Sequence, residues 1–296
     1  MSNSEKNRVV LFGATGRIGS ILARRFHEDG HPVLCIGRHA DTLGKLPGKH
    51  QILDLDDAQN VDSPILPGDV VINTVHARYT SDIAKLCPSD IARYVVVGST
   101  RYLSRIPDEK ADQVRAAALF LQDSNLPWIL LHPTMIYGAQ GENNIQRMAA
   151  LVRRFHIIPK PDGGRASIQP VHALDVAEAV VRAASYPKLQ NTALDVGGPQ
   201  ALPYWQFLQA IAAANNTWVK IVPVPMILVR MAARLTAALP GVPTIRDAEV
   251  LRLQEDKAVD ISALQQRLGI VPRTLEEGLR MTFGDARASE DGPSKP

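Results

Sequence analysis

Three glycines, Gly13, Gly16 and Gly19, stand at equal spacing between an apolar run, Val9–Phe12, and a stretch of helical periodicity from Ile18 to Glu28. In a strand-turn-helix setting each absent side chain has a use. The first permits a tight turn, the second lets backbone N–H groups approach a pyrophosphate, and the third lets the helix pack closely on the sheet. Thr15, Arg17 and Ile18 complete the same loop, and its chemistry is the holding of a dinucleotide. A turn that is only structural is the competing reading. About twenty residues further on, a carboxylate would accept the ribose 2′-hydroxyl of NAD, whereas an arginine suits the 2′-phosphate of NADP. The chain puts Arg38 there and Arg17 in the turn itself. NADP is therefore the expected cofactor, with NAD as the alternative.

Other polar residues carry weaker signals. Glu142, Asn143 and Asn144 fall at an expected helix start, where backbone N–H groups and side-chain amides could hold a phosphate or polar substrate group, or form an ordinary cap. Arg165, beyond a glycine pair, suits a phosphorylated ligand or plain solvent. "HEDGH", from His27 to His31, has the letters of a zinc site, but Gly30 and Pro32 end the helix that such a site needs. No metal is expected. His76, at the end of a later apolar run, stands near the expected cofactor as a loop residue.

These residues need a frame to position them. Strand-like runs "RVVLF", "PVLCIG", "HQILDL", "DVVINTV", "RYVVVGS" and "PWILLHP" alternate with helical stretches, including about Glu109 to Ser124, which predicts an α/β fold with a Rossmann-type doubly wound parallel sheet. The expected boundaries are a cofactor-binding half over 8–138 and a smaller C-terminal α/β substrate lobe over 139–284, intertwined with it. Within that lobe, helices are expected near Asn144 to Phe155 and from Leu174 to Ser185, the latter capped near its start by Asp175. Residues 1–7 and 285–296 read as disordered tails.

Composition limits the function. The 33 basic and 30 acidic residues are interspersed, for a net charge of +3, without the basic stripe of a nucleic-acid binder. A small molecule is the expected partner. Two cysteines, Cys35 and Cys87, offer no disulfide framework, and the polar opening reads as no signal peptide, so a reducing cytoplasm is expected. Val222 to Leu239 is apolar, but two prolines precede Arg230 and Arg234 on one helical face. It reads as a helix packed on its own domain, or as a membrane-surface or protein-binding face, and not as a spanning segment.

The glycine turn, with "ILDLDD", "VVINTV", "VVVGST", "LLHPTMIYG", "QPVHALDVAEA" and the closing "DISALQQRLGIVPRTLEEGL", resembles the extended and atypical branches of the short-chain dehydrogenase/reductase superfamily. That resemblance, which includes nucleotide-sugar epimerases and dehydratases, implies hydride transfer at a carbonyl or carbinol carbon. It implies that Asp54 and Leu55 contact adenine, that Asn73, Val75 and His76 line the cofactor, and that Pro133 and Tyr137 flank the nicotinamide. His132 stands where the family has arginine. The family's hydride chemistry uses a strand-five Ser or Thr with a Tyr-x-x-x-Lys pair, the lysine lowering the tyrosine pKa. Thr100 and Lys110 match, but the tyrosine position is Ile106, which carries no proton. Tyr102 is the nearest phenol and the candidate proton donor, with Tyr137 second. The sequence is similar also to an accessory subunit of respiratory complex I that binds nicotinamide nucleotide without known turnover. Two readings follow: an oxidoreductase or epimerase/dehydratase-like enzyme, or a non-catalytic NADPH-binding assembly or sensor protein.

Overall fold

The computed structural model describes residues 6–57, 62–139, 141, 144–161, 167–186, 189–225 and 255–290. Its centre is a parallel sheet built from β1 (Val9–Phe12), β2 (Val33–Gly37), β3 (Lys49–Ile52), β4 (Val70–Asn73), β5 (Arg93–Val97), β6 (Trp128–Pro133) and β11 (Thr192–Val196). Their order is β11-β6-β5-β4-β1-β2-β3, and a short helix, α2 (Ala40–Leu43), connects β2 to β3. The chain therefore reverses direction at β1, and the crevice beyond the carboxyl ends of β1 and β4 is where such sheets bind ligands.

Alternation along each strand explains why helices cover both faces. Val9 and Leu11 belong to one apolar cluster with Leu22 and Phe26 of α1 (Arg17–Glu28) and Val176 and Val180 of α6 (Ala173–Ser185). Val10 and Phe12 join the opposite cluster, with Ile83 of α3 (Thr80–Leu86) and Leu121 of α4 (Glu109–Asp123). Side chains of period two, buried on both sides, produce the near-continuous apolar runs seen in the sequence.

The later residues build a third apolar cluster. Ile145, Ala149 and Val152 of α5 (Asn144–Arg154) pack with Phe207 and Ile211 of α7 (Tyr204–Ala214) and with Leu279 and Phe283 of the last helix, Leu275–Glu290. Three short ladders accompany them: β7 (Ile136–Tyr137) with β10 (Val171–His172), β9 (Ser167–Ile168) with β12 (Leu202–Pro203), and β8 (Ile157–Pro161) with β13 (Lys220–Val224).

Three details differ from the sequence reading. His172, not Asp175, caps α6, its Nδ1 accepting from the Leu174 N–H. The buried Asp175 carboxylate instead holds the Arg273 side chain and accepts its backbone N–H at 3.0 Å, joining α6 to the segment before the last helix. That helix runs on through Glu290, its "DARASE" end being rich in helix formers. At the other end, Asn7 donates to the Gly68 carbonyl, so the chain is anchored before β1 begins.

The tightest point is the glycine turn. Gly13 has φ +79°, and a Cβ there would lie 2.7 Å from the Thr74 hydroxyl and 2.8 Å from Val75 Cγ1. A Cβ on Gly19 would run into the Gly13 carbonyl and the Ala14 backbone, which cannot move aside without moving β1. Gly19→Ala is expected to cost about 1–3 kcal/mol or more by overpacking. Urea denaturation measures this, and an unchanged midpoint would contradict the assigned contact.

Candidate active site

At the carboxyl ends of β1, β2 and β4 lies a cleft of about 610 Å³ lined by Gly13, Thr15, Gly16, Arg38, Asp54, Leu55, Val75, His76 and Lys110, among others. Its floor is the start of α1. Gly16 is the N-cap and supplies no side-chain bond to the helix, and the first turn holds no acidic residue. Backbone N–H groups and the positive end of the helix dipole therefore face the cleft with no carboxylate in the first turn of α1, an arrangement suited to an anion.

The surrounding charge strengthens this. The pKa of His76 is lowered, first by burial and then by the nearby cations of Lys110, Arg78 and Arg101. Its Nδ1 accepts from the Arg78 N–H, capping the short turn Ala77–Tyr79. Arg78 was not singled out from the sequence, yet it lines the cleft, pairs with Asp56 at 2.9 Å and lies over the Tyr79 ring. Its position two residues past His76 was the available signal. Asp54 accepts from the Asp56 N–H, an aspartate turn that fixes the loop after β3.

Asn73 plays a different part from the cleft residues. It is fully buried, bonded to Thr80 and Tyr94, and its Oδ1 accepts from the Val75 N–H at 3.0 Å. It shapes the strand end that presents Val75. Arg17 and Ile18 lie in the first turn of α1, Arg17 exposed and Ile18 buried in the core.

Beyond Thr100 a second cavity, about 850 Å³, opens between the sheet and the later residues. Its walls include Ser99, Thr100, Arg101, Ile106, Met135, Gln169, Glu255 and Lys257. Glu255 closes it by accepting from the Ser104 hydroxyl at 2.9 Å and the Arg105 N–H at 2.8 Å. The Thr100 hydroxyl donates to the Pro133 carbonyl at 3.3 Å. Lys110, the second residue of α4, lines the first cleft rather than the second.

Tyr102 lines neither. Its hydroxyl is 3.3 Å from both oxygens of Asp195 on β11, its ring lies on His132 at 4.4 Å between centroids, and its carbonyl accepts from Arg115 of α4. Burial and the Asp195 charge raise its pKa, the reverse of the lowering that a Tyr-Lys pair produces. Asp195, remote in sequence, gave no signal of this role. Tyr137 is buried, its hydroxyl against Gly278 and its ring edge-on to His172, and burial raises its pKa well above the usual phenol range. Pro133 ends β6 beneath the Thr100 turn. Asn143 and Arg165 lie outside the described residues, as do the Asn144 side chain and 226–239 of the apolar segment.

A family model described as NAD(P)H-binding matches residues 13–187. An uncharacterized protein of Mycobacterium tuberculosis is 24% identical over 90% of this chain, and the chain spans only 28% of that protein's length. The mitochondrial NADH dehydrogenase [ubiquinone] 1 alpha subcomplex subunit 9 of Arabidopsis thaliana is 23% identical, over 90% of this chain and 75% of the subunit. Among solved structures, gox2253 superposes with a TM-score of 0.74 at 16% identity, covering 96% of this chain and 98% of its own. The dTDP-glucose 4,6-dehydratase of Bacillus anthracis, in complex with NAD, gives 0.68 at 12% identity over 97% and 98%. The parallel sheet and its flanking helices are thus those of the short-chain dehydrogenase/reductase fold.

Burial holds His132 at a pKa of about 4, while its Nδ1 accepts from the Ser99 N–H. A group lowered on folding contributes stability that is complete above its unfolded pKa of about 6.5 and is lost as pH falls toward 4. His132→Asn keeps an acceptor and removes the titration. Between pH 7 and 4 the variant is expected to lose less stability than the parent by on the order of 2–3 kcal/mol. Parallel urea curves at the two pH values would show it, and equal losses would refute it.

Proposed function

Since the chain belongs to the NAD(P)H-binding family, we propose that it is an NADP(H)-dependent oxidoreductase or epimerase/dehydratase-like enzyme acting by hydride transfer at a carbonyl or carbinol carbon. Nucleotide-linked sugars are among the candidate substrates. The observation that carries this reading is the pairing of the glycine-turn cleft with a larger cavity across the Ser99–Lys110 loop, one for a dinucleotide and one for a small molecule.

The residues present fit the cofactor, because the turn admits no Cβ at Gly13 or Gly19 and the uncapped start of α1 presents its N–H groups. When bound, the nicotinamide supplies the hydride. Gly13, Thr15, Gly16, Arg17, Ile18 and Gly19 would hold the pyrophosphate, with Arg38 taking the 2′-phosphate. Asp54 and Leu55 would meet the adenine, Asn73 would act through Val75, and His76 would lie along the cleft. Pro133 and Tyr137 would support the nicotinamide end, Tyr137 from the core behind it. In the second cavity Thr100 is the candidate hydrogen bonder to the substrate oxygen, and Lys110 would hold the ribose. Tyr102 is the candidate proton donor, with a phenol that must first leave Asp195. Asn143, Asn144 and Arg165 are retained as candidate substrate contacts.

A second reading, a non-catalytic NADPH-binding assembly or sensor protein, draws support from a specific feature. Ile106 stands in the wall of the second cavity at the family's tyrosine position, while Tyr102 is bonded away from it. The similarity to the complex I subunit points the same way. A cytoplasmic setting belongs to either reading and suits two free thiols whose pKa values burial pushes up to about 11 at Cys35 and about 12 at Cys87.

Two measurements test the proposal. Arg38→Ala is expected to weaken NADPH binding about tenfold while changing NADH binding little, as loss of one charge-assisted phosphate contact requires. Tighter binding of NADH than NADPH by the parent would reverse the cofactor assignment. NADPH oxidation across a panel of carbonyl substrates is expected to occur and to fall at least tenfold in Tyr102→Phe. Turnover that survives the change removes Tyr102 from the mechanism, and tight binding without any turnover, together with a co-purifying partner, favours the second reading.

A further inference from the structure

Acidic residues are unevenly spread in this chain. No Asp or Glu occurs from Val196 to Arg246, nor from Asn143 to Pro161. These two stretches supply α5, α7, β8 and β13, which pack on one another. The surface they form carries Arg147, Arg153, Arg154, Lys160 and Lys220, with no carboxylate on any of the four elements.

The same surface exposes large apolar side chains. Leu151 is 42% exposed, Phe155 50%, Ile157 61% and Trp218 62%. They are contiguous. Leu151 and Phe155 are one helical turn apart, His156 stacks on Trp218 at 4.8 Å, and Ile157 is the register partner of Lys220. Two of the cations lie over rings, Arg154 over Phe155 at 5.6 Å and Lys160 over Trp205 at 5.5 Å, and among the described residues none of the five has a carboxylate partner. Trp205, Trp218, Lys160 and Lys220 line one shallow groove.

We propose that this face docks on an anionic lipid bilayer, with Phe155, Ile157 and Trp218 entering the interfacial layer and Arg153, Arg154 and Lys220 meeting lipid phosphates. Charge complementarity sets the sign of the partner, and the apolar side chains set its kind. An anionic polymer would satisfy the cations but leave the aliphatic Leu151 and Ile157 in water, whereas a bilayer surface accommodates both at once. Aromatic rings with cationic heads alongside are suited to the headgroup boundary, where each basic residue adds to attraction toward acidic lipid. The proposal is independent of whether the chain turns over NADPH.

Sedimentation of the full chain with vesicles of phosphatidylcholine alone, and of phosphatidylcholine mixed with phosphatidylglycerol, tests it. Binding is expected to the mixed vesicles only, and to fall with added salt. Arg154→Glu with Lys220→Glu is expected to lower the partition coefficient about tenfold or more. Ile157→Ser with Trp218→Ser is expected to do the same, with the thermal unfolding midpoint showing that each variant is folded. Absence of vesicle binding, equal binding to neutral vesicles, or retention on nucleic acid in place of vesicles would overturn the proposal. Undiminished binding by both double variants would also overturn it, by putting the contact elsewhere in the chain.

Discussion

The nucleotide end of the molecule depends on how closely the Gly13 carbonyl approaches the backbone at Gly19. That contact draws α1 onto the end of β1 and aims its first turn at the cleft. Because the N-cap is a glycine with no side chain to offer, the helix keeps its unpaired N–H groups for whatever occupies the cleft. Arg38 and Lys110 add positive charges beside the partial one, while Arg78, also in the lining, is paired with Asp56. The lowered pKa of His76 follows from the same field, since burial and neighbouring cations both oppose another positive charge.

The carboxyl ends of β5 and β6 are organised around the uncharged His132, Tyr102 and the Asp195 carboxylate. Burial disfavours the charged form of His132, and Tyr102 lies on its ring. Gly98 makes room for it, since a Cβ there would come within 2.7 Å of Nδ1. The Tyr102 phenol is bonded to both carboxylate oxygens of Asp195. Arg115 and the Arg101–Asp108 pair tie down the rest of the loop.

How much of this was readable from the sequence follows from the range of the interactions. The six strands from β1 to β6 and the glycine turn were legible, because period-two burial and local backbone need act over a few residues. The Tyr102–Asp195 bond and the Ser104–Glu255 clasp were not, since each joins residues far apart in the chain whose types are unremarkable alone. The capping of α6 failed for a related reason. Asp175 is a good capping residue by type, but its buried carboxylate gains more from Arg273, and the neighbouring His172 takes over the cap. Of the motif residues predicted for the cofactor, Gly13, Thr15, Gly16, Arg38, Asp54, Leu55, Val75 and His76 line one cleft, whereas Arg17, Ile18, Gly19, Asn73, Pro133 and Tyr137 do not line it.

Two parts of the molecular surface carry their charge differently. On the sheet half, cations pair with carboxylates nearby, as in Arg25–Asp29, Arg78–Asp56, Lys85–Asp82 and Arg115–Asp112. On the α5, β8 and β13 face, the corresponding contacts are to aromatic rings. Each kind is worth roughly 0.5–1 kcal/mol at an exposed site, so local stability does not distinguish them. Their long-range effects differ completely. A carboxylate neutralises the cation it holds, whereas a ring holds the side chain in place and leaves its whole charge pointing outward. Ring partners therefore give this face a positive potential that persists for about a Debye length into solution, without requiring any excess of basic residues over the rest of the chain.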